Sequence, residues 1–247
     1  MKNYLSIVFM FLLTQISFSQ SLQEVQFLAS DKVEIFGDLY YDSSEQPLII
    51  LFHQAGSCAQ GEYANVIPTL LKNGFNVLAI DQRSGGEKLG GKNRTVEGLK
   101  GKKFEYCDTY PDFVAALTYA TKDLNHLGSI IVWGSSYSAA MVIHLAAEFQ
   151  DQIAGVLAFS PASGGPMKPC SPNDKFEQIA GKGMILRPAK EIEIPSVTSQ
   201  FELAEKAGMS TFIAQNGVHG SSMLNPEKVD GSVEDTWKAV FDFIAGL

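Results

Sequence analysis

Four short apolar runs constrain the fold of this chain more than any other feature. They occupy 47–53 (PLIILFH), 75–81 (FNVLAID), 128–134 (GSIIVWG) and 153–160 (IAGVLAFS). A strand that is apolar at nearly every position offers no face to water, so it belongs inside a sheet covered on both sides. Segments with helical spacing lie among these runs, at 64–74, 110–124 and 137–149, and a last one closes the chain from about 233 to 244. Strands and helices that alternate in this way predict an α/β fold with a mostly parallel central sheet and helices on both faces. Ahead of the first run, 24–41 reads as an antiparallel hairpin turning at Ser30-Asp31, with Val33, Ile35, Leu39 and Tyr41 giving the period of two. Residues 84–107 read as a long loop and 161–192 as a weakly structured insert. A strand at 194–200, a short helix through Ala207 and a strand at 210–215 follow.

A length of 247 residues with 45% hydrophobic content suits one sizeable core, so 20–247 is expected to form a single domain. The first nineteen residues have the form of a signal peptide, with Lys2 before the apolar run 4–13 and small residues at Ser17 and Ser19. That run is too short for a hydrocarbon core that needs roughly twenty residues. Cleavage before Gln20, a periplasmic or secreted location and no stable membrane insertion afterwards are the expectations. Cys58, Cys107 and Cys170 are far apart, with no metal-ligand spacing, so no metal or other cofactor is expected. An oxidising compartment permits a disulfide, and Cys107 with Cys170, both in irregular segments, is the expected pair; three reduced thiols are the alternative. The net charge of −8 argues against nucleic acid as a partner. The segment 86–93 matches most of a phosphate loop, but Asn93 stands where Ser or Thr is required.

In a sheet of this kind ligands bind beyond the carboxyl ends of the strands. The stretch Gly134-Ser135-Ser136-Tyr137-Ser138 falls there, where an apolar strand turns into a helix. It departs from Gly-x-Ser-x-Gly only at its last position, and the register from Gly134 puts Ser136 at the tip of a nucleophile elbow. A serine hydroxyl needs a base to take its proton and a third group to orient that base. His219, in a glycine-flanked loop after the last strand, is the expected base; His126 and His144 read as structural. The acid is expected just after the strand at 194–200, where Glu202 fits best, ahead of Glu205, Asp174 and Asp230. The oxyanion donors are expected to be the N–H of Tyr137 and one from the loop after the first buried strand, Ala55 in preference to Gln54. His53 is expected to shape that loop at the substrate site. Lys92 and Arg94, in a basic stretch of the loop 84–107, are candidates for binding an anionic substrate.

The stretches "LFHQAGS", "AIDQRSGG", "WGSSYS", "TSQFE" and "VHGSS", in this order, resemble the α/β-hydrolase superfamily. The likeness extends over nearly all of 22–247 and is strongest to small esterases close to the dienelactone hydrolases and to the catalytic domains of prolyl-oligopeptidase type. The resemblance implies a triad of serine, an acid and histidine, here Ser136, Glu202 and His219, that transfers an acyl group to water. Ser138 replaces the second elbow glycine, Gln54 stands where relatives usually have glycine, and the acid is Glu where Asp is commoner. The expected function is an exported serine carboxylesterase acting on a small-molecule ester, sugar-linked or anionic. A serine peptidase and a catalytically silent binding protein of the same fold are the alternatives.

Overall fold

In the computed structural model, which describes residues 21–247, every predicted apolar run is a strand. The expected signal peptide, 1–19, lies outside the described residues. The strands are β1 (Leu22–Leu28), β2 (Glu34–Tyr40), β3 (Leu48–Phe52), β4 (Asn76–Asp81), β5 (Ile130–Ser135), β6 (Gly155–Phe159), β7 (Gly183–Pro188) and β8 (Ser210–Ala214). They form one eight-stranded sheet in the order β1-β2-β4-β3-β5-β6-β7-β8. The β1–β2 hairpin and the β2–β4 pair are antiparallel, and every other pair is parallel. All residues of β3 to β7 are buried, as strands covered on both faces must be.

The helices are α1 (Ala59–Tyr63), α2 (Ile67–Lys72), α3 (Arg94–Gly98), α4 (Tyr110–Thr118), α5 (Tyr137–Glu148), α6 (Ala189–Ile192), α7 (Pro195–Lys206) and α8 (Glu234–Ala245). Alternate strand residues feed two cores. On one face Phe52 stacks on Phe113 of α4 with ring centroids 4.3 Å apart. On the other Trp133 stacks on Phe159 at 4.4 Å, beneath α8. From β3 the chain runs outward to β4, then returns to β5 on the other side of β3. The crevice at the carboxyl ends of β3 and β5 is therefore the point where strand order reverses.

Two expectations about the second half are corrected. The segment 194–200 is helical: Pro195 sits in the first turn of α7, and Val197, Gln200, Phe201 and Ala204 bury one face at helical spacing. The strand lies earlier, as β7, inside what reads from sequence as an irregular insert. Arg187 breaks its apolar run, and only the structure supplies the partners that let an arginine be buried there.

The rest of that insert is held by a covalent tie. Cys107, in the 3-10 turn Tyr106–Thr109, is disulfide-bonded to Cys170, at the end of the 3-10 turn Gly165–Cys170, across 63 positions of sequence. Closing a loop of that length restricts the unfolded chain, so Cys107→Ser with Cys170→Ser lowers the unfolding free energy by about 2–4 kcal/mol. Urea melts of oxidised wild type and the double variant measure it; coincident midpoints would show that the tie adds nothing. No helix among the described residues is long and apolar enough to cross a membrane.

Candidate active site

The turn from β5 into α5 places Ser136 at the sheet's reversal point. Ser136 has φ 61° and ψ −119°, a left-handed conformation that costs a non-glycine residue about 1–3 kcal/mol. The surrounding backbone holds it there: its N–H donates to the Phe159 carbonyl at 2.9 Å, and its carbonyl accepts the Ala162 N–H at 3.1 Å. The strand passes so close to the helix that a Cβ on Gly134 would meet the Ser138 carbonyl oxygen at 2.4 Å. Position 138 itself has room for a side chain. The Ser138 hydroxyl donates to the His53 carbonyl at 2.6 Å and accepts from Gln82 Nε2 at 2.6 Å, tying the elbow helix to the end of β3.

His219 is presented by a loop that hangs on the elbow. The N–H of Gly220 donates to Ser160 Oγ at 3.1 Å, and that of Ser221 to Ser135 Oγ at 3.0 Å. Ser135, the neighbour of the tip serine, thus has a structural use for its hydroxyl. His219 Nδ1 lies 2.5 Å from Glu191 Oε1, which leaves Nε2 as the nitrogen able to take a proton. The carboxylate beside His219 is therefore Glu191, on α6 directly after β7, and Glu202 is corrected. Glu202 projects from the exposed side of α7, opposite its buried face, and Glu205 accepts from Thr211 Oγ1 instead. The acid does follow a strand of the sheet, as expected, but that strand is β7 and not the segment 194–200.

Glu191 is itself held from behind. Arg187, 2% exposed, donates from Nη1 to Glu191 Oε2 at 2.9 Å and from Nη2 to Gln200 Oε1 at 2.5 Å and to the Pro161 carbonyl. Burial alone would raise the Glu191 carboxyl, but the His219 contact and the Arg187 guanidinium outweigh it and hold it below the usual carboxylate range. Arg187→Met would leave that carboxylate to His219 alone. Its burial is then less opposed and the Glu191 carboxyl titrates at higher pH, so the acid limb of kcat/KM, which requires the ionised carboxylate, moves to higher pH. A limb that stays in place, with the variant folded, would mean that Arg187 has no electrostatic hold on the pair.

The loop after β3 separates the two expected backbone donors. The Gln54 N–H donates to buried Glu62 Oε2 at 2.6 Å, so Gln54 is corrected as an oxyanion donor. The Ala55 N–H has no acceptor among the described residues. Tyr137 is the first residue of α5, where an N–H has no acceptor within the helix. Neither of these two amides is committed to an acceptor among the described residues.

Of the three residues expected at the substrate site, His53 shapes the loop as expected but offers nothing to a ligand, and Arg94 is corrected. His53 is fully buried; its Nδ1 meets the Gln54 carbonyl at 2.8 Å, its Nε2 accepts the Gln82 N–H at 3.0 Å, and burial pushes it down to about 4. It is a neutral strut of the loop, out of reach of a ligand. Arg94 is committed to Asp81, at 2.8 Å, and Asp38, at 2.7 Å, while Lys92 extends into solvent near Glu97. The groups that sequence reasoning missed, Glu62, Ser160, Arg187 and Glu191, have no local motif and are joined only by tertiary contacts.

Comparison with known proteins agrees with this geometry. The chain's residues 47–185, from the start of the β3 region into β7, match the family model described as the alpha/beta hydrolase fold. The structure is similar to a Pyrococcus furiosus esterase, Pf2001, with a TM-score of 0.69 and 19% identity over 98% of each chain. It is also similar to a dienelactone hydrolase from Anabaena variabilis, with a TM-score of 0.65 and 17% identity over 92% of this chain and 98% of that one. An acylaminoacyl peptidase from Pyrococcus horikoshii gives a TM-score of 0.64 and 14% identity over 91% of this chain and 41% of that one. No curated protein matches the sequence. Structural likeness at such identities speaks for the fold alone, whereas the family match covers more than half of the chain and spans the strand, elbow and helix that position Ser136. The chain belongs to the alpha/beta hydrolase fold family.

Proposed function

We propose that the protein is an exported serine carboxylesterase that cleaves small esters through Ser136, His219 and Glu191. The observation that carries this reading is the strained serine tip with a His–Glu pair whose loop is bonded to the same turn. Ser136 Oγ attacks the ester carbonyl carbon as its proton passes to His219 Nε2, and Glu191 stabilises the imidazolium through Nδ1. The carbonyl oxygen, now negative, accepts from the Ala55 and Tyr137 N–H groups. Collapse expels the alcohol, which leaves with the proton from Nε2. Water then repeats the sequence on the acyl-serine and releases the carboxylic acid.

The Cys107–Cys170 bond supports export, since disulfides persist in oxidising compartments. Lys88 Nζ reaches Gln54 Oε1 at 3.3 Å beside the oxyanion loop, which supports an ester bearing a carboxylate or acidic sugar. The test is fluorophosphonate labelling of the purified protein with peptide mapping, beside p-nitrophenyl acetate turnover. Stoichiometric modification of Ser136 together with an acyl-enzyme burst is expected. Folded protein that neither labels nor turns over would overturn the esterase reading. Faster cleavage of aminoacyl anilides than of esters would move it to a peptidase.

A further inference from the structure

Glu62 is a buried carboxyl that takes no part in the chemistry above, yet it lies where all three working loops meet. It belongs to the short helix α1, and its Oε2 accepts the Gln54 N–H at 2.6 Å. Its Oε1 has no hydrogen-bond partner among the described residues. A Cβ on Gly220, next to His219, would come within 3.6 Å of that oxygen and 2.2 Å of Ser135 Oγ. One side chain thus adjoins the oxyanion loop, the strand entering the elbow and the base loop.

A carboxyl is a costly occupant of such a place. Burial raises its pKa, against the Ser135 hydroxyl, the Gln54 N–H and the charge of His219, which lower it. An apolar side chain of similar size would fill the same space without that desolvation cost. The hydrogen bond supplies a reason for an oxygen there. By occupying the Gln54 N–H, Glu62 fixes the His53–Gln54 peptide, the one before the peptide that carries the Ala55 N–H; the carbonyl of that next peptide is held by His53 Nδ1 and the Ser57 N–H, and the Ala55 N–H itself is left without an acceptor.

We infer that Glu62 is the positioning residue of the oxyanion loop, holding Gln54 so that the Ala55 N–H is aimed at the substrate oxygen. The inference rests on the serine-hydrolase reading, so labelling of wild-type Ser136 comes first; its absence would overturn both. With labelling present, Glu62→Ala and Glu62→Gln are compared in kcat, KM and affinity for an arylboronic acid, whose tetrahedral serine adduct resembles the oxyanion. Glu62→Ala lowers kcat and boronate affinity by about 10²-fold, with KM little changed, because a misaimed donor is felt only in the transition state. Glu62→Gln, whose amide oxygen still accepts from Gln54, recovers kcat to within about fivefold of wild type. A loss confined to KM, or a glutamine variant no better than alanine, overturns the inference. Should Glu62→Ala not fold, Glu62→Asp withdraws the acceptor by one methylene and shows the same loss of kcat; wild-type kcat in that variant overturns it equally.

Discussion

Replacing Ser136 with alanine lowers kcat for a p-nitrophenyl ester by about 10⁴-fold or more and abolishes fluorophosphonate labelling. The size of the effect follows from losing the attacking atom itself, with only the oxyanion donors and substrate binding left to act. Ser135→Ala separates the two serines. Its hydroxyl accepts the Ser221 N–H, so the alanine loses about 1–2 kcal/mol of stability and loosens the base loop but keeps the labelled serine. Labelling lost in Ser135→Ala and kept in Ser136→Ala would put the nucleophile one residue earlier. The strain at the tip gives an independent reading. Alanine at 136 inherits the left-handed conformation, whereas Ser136→Gly relieves it and unfolds at a higher urea concentration than Ser136→Ala.

The parts of this molecule legible in the sequence are those whose cause is local. The runs that became β3 to β6 are apolar throughout because helices cover both faces, and that condition is written into each run. The elbow is legible because Gly134 is required by its 2.4 Å approach to the Ser138 carbonyl and sits at a fixed offset from the tip. The same logic fails at β7. Its burial pattern is as complete as that of β5, but Arg187 looks polar until Glu191, Gln200 and the Pro161 carbonyl are seen around the guanidinium. Without that strand the acid is sought after the next segment of alternating character, where Pro195 and the 197, 200, 201, 204 spacing in fact signal a helix. Gln54 shows the converse limit. In sequence it is an awkward substitute for glycine, yet its N–H is committed to Glu62 and its side chain to Lys88, contacts eight and thirty-four positions away.

The pairing of Arg187 with Glu191 decides how the acid can be proved. Glu191→Gln lowers kcat by about 10³–10⁴-fold, since an amide neither fixes the His219 tautomer nor stabilises the imidazolium, while Glu202→Gln stays within about twofold of wild type. The single variant also leaves the buried Arg187 guanidinium without its anion, at a cost of about 3 kcal/mol, so lost activity could reflect a damaged fold. Arg187→Met with Glu191→Gln removes both charges together. Stability then returns toward wild type, because a buried pair replaced as a pair leaves no isolated charge. Activity does not return, because His219 still lacks its carboxylate. Urea midpoints and kcat measured on the same three proteins therefore separate the two roles. Recovery of kcat in the double variant would show that Glu191 serves only to neutralise Arg187 and that the orienting acid lies elsewhere.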